Sequence, residues 1–255
     1  MLKIQTFGNK THITDLLIVH GLFGSGRNWR AIARNISSDR QVHVVDMRNH
    51  GESFWNADNS YESMAEDLKK IITSLKSPVD VLGHSMGGKA SMLLAINNPD
   101  LVNRLLIVDI APTKYQHDQS INISIMKNLP IDDLTRRSDA DLILKKTLSD
   151  DALRAFFLQS LIISPNGNSW QLNLDALDKN MDKIIGFPDV SGQFNGMTFF
   201  LKGELSNYIL DKDLPNINRL FPRNKIITIK NSGHWVHAEA TRDFLISVKK
   251  YLSVS

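Results

Sequence analysis

The sequence predicts an α/β fold, a mostly parallel central sheet with helices on both faces and a helical cap inserted after the sixth strand. Three observations carry this expectation. Short apolar runs alternate with stretches of helical period, the pattern of strand–helix units that build a parallel sheet. The alternation lapses between Pro112 and about Pro188 and then resumes. The chain has 255 residues, 42% hydrophobic and 22% charged, enough for one large core and too few for several ordinary domains.

The first unit joins the apolar run Leu16–Val19 to Trp29, Ile32, Ala33 and Ile36, spaced i, i+3, i+4, i+7 on one helix face. Val42–Val45 is followed by Leu68, Ile71, Ile72 and Leu75 in the same way. The run 79–82 leads into the apolar stretch 90–96, and 105–110 is the last run before the lapse. Residues 112–190 read as helices and loops with no convincing strand, so they form the expected cap. Strands 197–201 and 226–229 then return, and Phe244, Val248, Tyr251 and Leu252 share one face of a final helix that closes the sheet. The core is thus residues 1–111 and 191–255, with the cap at 112–190.

Composition excludes several functions. Lys plus Arg (30) barely exceed Asp plus Glu (27) and are scattered, leaving no basic run to track a phosphate backbone, so nucleic acid is not an expected partner. With no cysteine there is no disulfide, thiol nucleophile or thiolate metal site. The N-terminal MLKIQTFGNK lacks the apolar stretch of a secretory signal, which makes a cytoplasmic location the expectation. The longest charge-free stretch, 155–174, contains Pro165, Asn166, Gly167 and Asn168 and is not expected to span a membrane.

Gly83-His84-Ser85-Met86-Gly87 lies between a strand and a helix, the setting in which G-x-S-x-G forms a nucleophile elbow. Small residues two positions either side of the serine permit the close backbone approach of that turn, and the hydroxyl projects above the sheet. Ser85 is the candidate nucleophile. His20-Gly21-Leu22-Phe23-Gly24-Ser25 follows the first apolar strand, where an oxyanion-binding amide belongs. The amides of Met86 and Leu22 are the candidate donors, with Phe23 as the neighbouring alternative. No Lys-Ser/Thr follows this loop, as a phosphate-binding P-loop would require. Asn231-Ser232-Gly233-His234-Trp235 delivers a histidine after the last strand, so His234 is the candidate general base. His84, inside the elbow, is expected to point away from the nucleophile.

The segments HGLFGS, VVDMRNHGES, GHSMGGKA, VDIAP and GHWVHAE together resemble the α/β-hydrolase superfamily, and more narrowly the YbfF-type bacterial esterases, similar to mitochondrial hydrolases with an abhydrolase domain. They span residues 20 to 239. The resemblance implies the α/β-hydrolase fold, serine-dependent hydrolysis of carboxylic esters with thioesters such as acyl-CoA in scope, a small-molecule acyl substrate, and no metal or organic cofactor.

In that fold the acid usually follows the penultimate strand in a Gly-x-x-Asp turn, and here the turn reads Gly203-Glu204-Leu205-Ser206. A serine cannot balance an imidazolium as a carboxylate does. Asp109, ending the run beside the elbow strand, keeps the order Ser, Asp, His and is the candidate acid, as in the VDIAP placement of YbfF-type esterases; Glu204 is its rival. Ser206 is a candidate fourth member near the histidine. Asp46 reads as a brace for its own loop, and Arg48 as a candidate contact for an anionic substrate. Phe23, Phe156, Phe157 and Trp170 are candidate substrate contacts, although aromatic residues in a cap are more often its core. Haloalkane dehalogenases and epoxide hydrolases of this fold use aspartate at the elbow, which Ser85 argues against. Cofactor-free perhydrolase, C–C hydrolase and lyase chemistries can retain the same triad, and a ligand-binding role without catalysis is the alternative from another class.

Overall fold

The structure, a computed structural model, describes residues 1–116 and 119–253. In chain order its first half comprises β1 (Ile4–Phe7), β2 (Leu16–Val19), α1 (Arg30–Ile36), β3 (Val42–Val45), α2 (Tyr61–Leu75), β4 (Val79–His84), α3 (Met86–Asn97) and β5 (Val102–Val108). An insertion follows with α4 (Ser120–Lys127), α5 (Arg137–Leu144), α6 (Asp151–Leu158), β6 (Leu161–Ile162), β7 (Ser169–Trp170), α7 (Leu174–Lys179) and α8 (Met181–Ile185). The chain ends with β8 (Met197–Gly203), α9 (Leu214–Leu220), β9 (Asn224–Ile229), α10 (Val236–Glu239) and α11 (Thr241–Leu252).

Seven strands make one sheet in the order β1-β3-β2-β4-β5-β8-β9, parallel throughout except that β1 runs antiparallel to β3 at the edge. Strands β2, β3 and β4 are buried along their whole length, which is why they read as largely apolar runs, broken by His43 in β3 and Asp80 in β4. Their side chains divide by the period of two. Leu17, Val19, Val79 and Val81 join the core beneath α2, α3 and the insertion, whereas Leu16, Ile18 and Leu82 face α1 and α11 with Trp29 and Phe244. Every residue of α3 from Met86 to Ile96 is buried, so this helix runs through the interior directly behind the elbow.

Two expectations are corrected. The insertion leaves the sheet after its fifth strand and not its sixth, because only fifteen residues precede Leu16 and they supply one strand, β1. The insertion also contains the antiparallel pair β6–β7, joining Leu161 to Trp170 and Ile162 to Ser169. Two residues per strand are too few to show an alternating pattern. The insertion has no separate core: Phe157, Leu161, Trp170 and Leu172 belong to the same apolar cluster as the strands beneath them. Among the described residues no helix is long and apolar enough to cross a membrane.

Two buried histidines lock the loops after β2 and β3 together. His20 donates from Nδ1 to the Gly21 carbonyl at 2.8 Å and accepts at Nε2 from the Met47 amide at 2.9 Å. His50 donates from Nδ1 to the Arg48 carbonyl at 2.8 Å and accepts from the Phe23 amide at 3.2 Å. Each ring is therefore a neutral donor–acceptor. Burial holds His20 down to about 4, and burial with the neighbouring His20 holds His50 down to about 3. Asp46, as expected, braces its own loop, accepting from the Gly26 and Glu52 amides at 2.6 and 2.9 Å.

Two predictions follow from this packing. A Cβ on Gly87 would sit 2.3 Å from the His20 carbonyl oxygen, so Gly87→Ala should lower stability by about 1–3 kcal/mol, seen as a fall in Tm. In the unfolded chain His20 and His50 take up a proton below about pH 6.5, whereas in the folded chain they do so only near 4 and 3. The stability gained by burying them neutral is thus present above pH 6.5 and lost as the pH falls towards 3–4. Thermal melts should show Tm declining between pH 6.5 and 4, with a shallower slope in His50→Gln; an unchanged slope in that variant would remove His50 from the account.

Candidate active site

The elbow is a sharp turn. Ser85 stands alone between the end of β4 and the start of α3 with φ 50° and ψ −120°, a conformation that side-chain-bearing residues rarely adopt. A Cβ on Gly83 would lie 2.6 Å from the Gly87 carbonyl, which is why the flanking positions are glycine. The Ser85 amide is fixed to the Val108 carbonyl of β5 at 3.1 Å. The hydroxyl that this turn presents meets His234 Nε2 at 3.0 Å.

His234 is carried on the loop after β9, and its Nδ1 meets Asp109 Oδ2 at 2.8 Å. With Nδ1–H donated to the carboxylate, Nε2 is left as the acceptor for the serine proton. Asp109 follows β5, is wholly buried, and has φ 50°. Its other oxygen accepts from the Gly203 amide at 3.0 Å, and Ser206 Oγ donates to the same Oδ2 that faces the histidine. The structure thus brings Ser85, His234, Asp109 and Ser206 into one hydrogen-bonded chain. Glu204 lies outside it: its carboxylate accepts from the Asn231 amide at 2.9 Å and braces the loop.

Leu22 and Met86 both line the cavity in front of Ser85, and among the described residues neither amide has a protein acceptor. The Phe23 amide is already given to His50, which removes it as a donor to a ligand. The cavity has a volume of about 310 Å³. Phe23, Phe156 and Phe157 form part of its wall, with Phe23 and Phe157 packed edge to face at 5.4 Å. Trp170 does not reach it: held in β7, this side chain is buried in the apolar cluster. Arg48 is not available to a substrate either, since it is buried and paired with Asp67 at 2.7 Å while donating to the Asp58 and Ser63 carbonyls.

Several contributors escape the sequence reading. Glu239, the last residue of α10, holds the histidine loop by reaching back to accept from the Gly233 and Trp235 amides at 2.6 and 3.1 Å, at the N-terminal side of that short helix. His84 turns from the serine, as expected, yet its Nε2 reaches the His234 carbonyl at 3.0 Å; burial and the neighbouring histidines keep it neutral, so that nitrogen is an N–H donor. Tyr208 stacks on the His234 ring with centroids 3.8 Å apart. Lys89, in the cavity wall one turn beyond Ser85, donates to the carbonyls of Thr113, Ile185 and Gly186 at 2.8, 2.9 and 2.5 Å. Burial lowers it to about 7. Only the glycine-containing loop hinted at the first of these; the others act through partners distant in sequence. No group of three or more histidine or carboxylate side chains among the described residues is placed to hold a metal ion.

The whole chain has known relatives. It is 39% identical over 247 residues to the sn-1-specific diacylglycerol lipase ABHD11 of Mus musculus, an alignment covering 93% of this chain and 80% of that protein. It is 30% identical over 256 residues to esterase YbfF of Escherichia coli, covering 99% and 98%. A solved marine microorganism esterase superposes with a TM-score of 0.92 at 37% identity, over 98% of both chains. The family model described as the alpha/beta hydrolase fold matches residues 15–241, which include Ser85, the loop 20–25 and His234. This protein belongs to the alpha/beta hydrolase fold family.

Proposed function

We propose that this enzyme is a serine-dependent carboxylester hydrolase that works through a covalent acyl-enzyme, with oxygen esters and acyl thioesters such as acyl-CoA as its substrate class. The observation that carries this reading is the unbroken chain from Ser85 Oγ to His234 to Asp109, at 3.0 and 2.8 Å, opening onto an apolar cavity beside two unengaged amides. Relatives named as lipase and esterase lend support.

In the first step Ser85 Oγ attacks the acyl carbonyl carbon while His234 Nε2 takes its proton, and the Leu22 and Met86 amides receive the oxygen as it gains negative charge. Asp109 holds the imidazole in the required tautomer and faces the charge that forms on it. His234 then returns the proton to the leaving alcohol or thiol, the tetrahedral centre collapses, and water repeats the sequence on the acyl-enzyme. Ser206, donating to Asp109, secures the carboxylate without adding charge. Residues 112–190 act as a cap whose Phe156 and Phe157, with Phe23, meet the acyl group.

The decisive experiment is labelling by a fluorophosphonate probe together with hydrolysis of p-nitrophenyl esters. Ser85→Ala should abolish labelling and lower kcat/KM by at least about 10³-fold with the fold intact. Wild-type protein that neither labels nor turns over would make this a binding protein. Asp109→Asn keeps the size but favours the wrong tautomer, so kcat/KM should fall by up to about 10⁴-fold, whereas Glu204→Gln should cost less than about tenfold. The opposite ranking in folded variants would transfer the acid role to Glu204.

A further inference from the structure

Tyr208 is stacked on His234. Its ring lies 3.8 Å from the His234 ring, centroid to centroid, with only 19° between the planes. The backbone beneath it is fixed at two points, one of them relayed onward. The Tyr208 amide donates to Ser206 Oγ at 3.2 Å, its carbonyl accepts from the Tyr115 hydroxyl at 2.6 Å, and that hydroxyl accepts from the Ala111 amide at 2.9 Å. The stack is therefore anchored to the two segments that also hold Asp109, the turn after β8 and the exit from β5.

We propose that Tyr208 is a positioning residue for His234, whose ring face stabilises the imidazolium and fixes the plane in which it accepts and returns the proton. An aromatic face attracts a cation in contact with it and attracts a neutral imidazole much less, so the stack favours the charged form that arises during acyl transfer. Among the described residues, the titratable groups facing His234 are Asp109 from β5, Ser85 from the elbow, His84 from β4, His237 from α10, and Tyr208 itself. His84 and His237 are held neutral by burial and by the neighbouring histidine. Asp109 is thus the one anion of this set, and Tyr208 the one π-face parallel to the ring. Burial and the nearby Asp109 push the Tyr208 hydroxyl up to about 12, which keeps the phenol protonated through the working pH range. The contribution is accordingly that of the ring and not of a phenolate.

This inference rests on the acyl-transfer reading above, and its test includes a measurement that needs no turnover. In Tyr208→Leu the midpoint of the His234 imidazole titration, followed by NMR, should fall by about half a unit or more, and kcat should drop about 3- to 30-fold as the acid limb of its pH profile moves to lower pH. Tyr208→Phe, which keeps the π-face, should retain the wild-type midpoint and limb. An unmoved midpoint in folded Tyr208→Leu would overturn the proposal, and so would a Phe variant that behaves like Leu. If Tyr208→Leu does not fold, Tyr208→Met supplies the same comparison. Activity surviving in Ser85→Ala would instead refute the acyl-transfer reading, leaving the NMR result to judge the stack by itself.

Discussion

The site depends on a carboxylate buried where water cannot reach it. Asp109 is wholly buried at the end of β5, and burying an anion is costly unless hydrogen-bond donors surround it. Three donors converge on it from different segments: the Gly203 amide, the Ser206 hydroxyl and His234 Nδ1. The turn after β8 and the loop after β9 are thereby joined at one point. The serine at position 206 is understandable in these terms. With the carboxylate supplied by β5, the vacated position after β8 holds a donor, and a second acid there would face Asp109 as a like charge.

The strained backbone is distributed in the same way. Phe23, Asn49, Ser85, Asp109 and Asn231 all have positive φ without being glycine, and each lies in a turn following a strand of the central sheet. Such conformations cost about 1–3 kcal/mol each and persist only where the surroundings enforce them. Here the enforcement is visible: the Phe23 amide is held by His50, Ser85 by Val108, Asp109 by Leu201, and Asn231 by Glu204. A parallel sheet brings its strand ends to one rim, so most of the sharp turns and the polar groups they carry collect there; Lys76, at the end of α2 with φ 60°, lies elsewhere.

Much of this architecture could be read from the chain because it is local. Buried parallel strands leave continuous apolar runs, the elbow requires glycines at fixed offsets from Ser85, and His234 lies on a glycine-containing loop after the last strand. The features that escaped are those without a local signature. The β6–β7 pair is too short to alternate, and Tyr208 is an ordinary loop tyrosine until the β8 turn brings it onto His234. Trp170 and Arg48 show the converse error. A large aromatic and an unpaired-looking arginine suggest ligand contact in a linear reading, but the folded chain had already engaged one in the core and the other with Asp67. Asp109 could be reached by elimination, because the usual position had lost its acid.

Lys89 has a bearing on how freely this insertion could be exchanged for another. Its ammonium gathers one carbonyl from Thr113, where the chain departs the sheet, and two from Ile185 and Gly186, where it prepares to return. Both junctions are thus stitched to α3, the helix that begins immediately after Ser85. A graft that matched the sheet ends but failed to deliver those three oxygens would leave a desolvated cation beside Ser85. The boundary between scaffold and insertion is for that reason not a neutral splice point: a donor segment must be chosen by the carbonyls at its ends as much as by the pocket it brings.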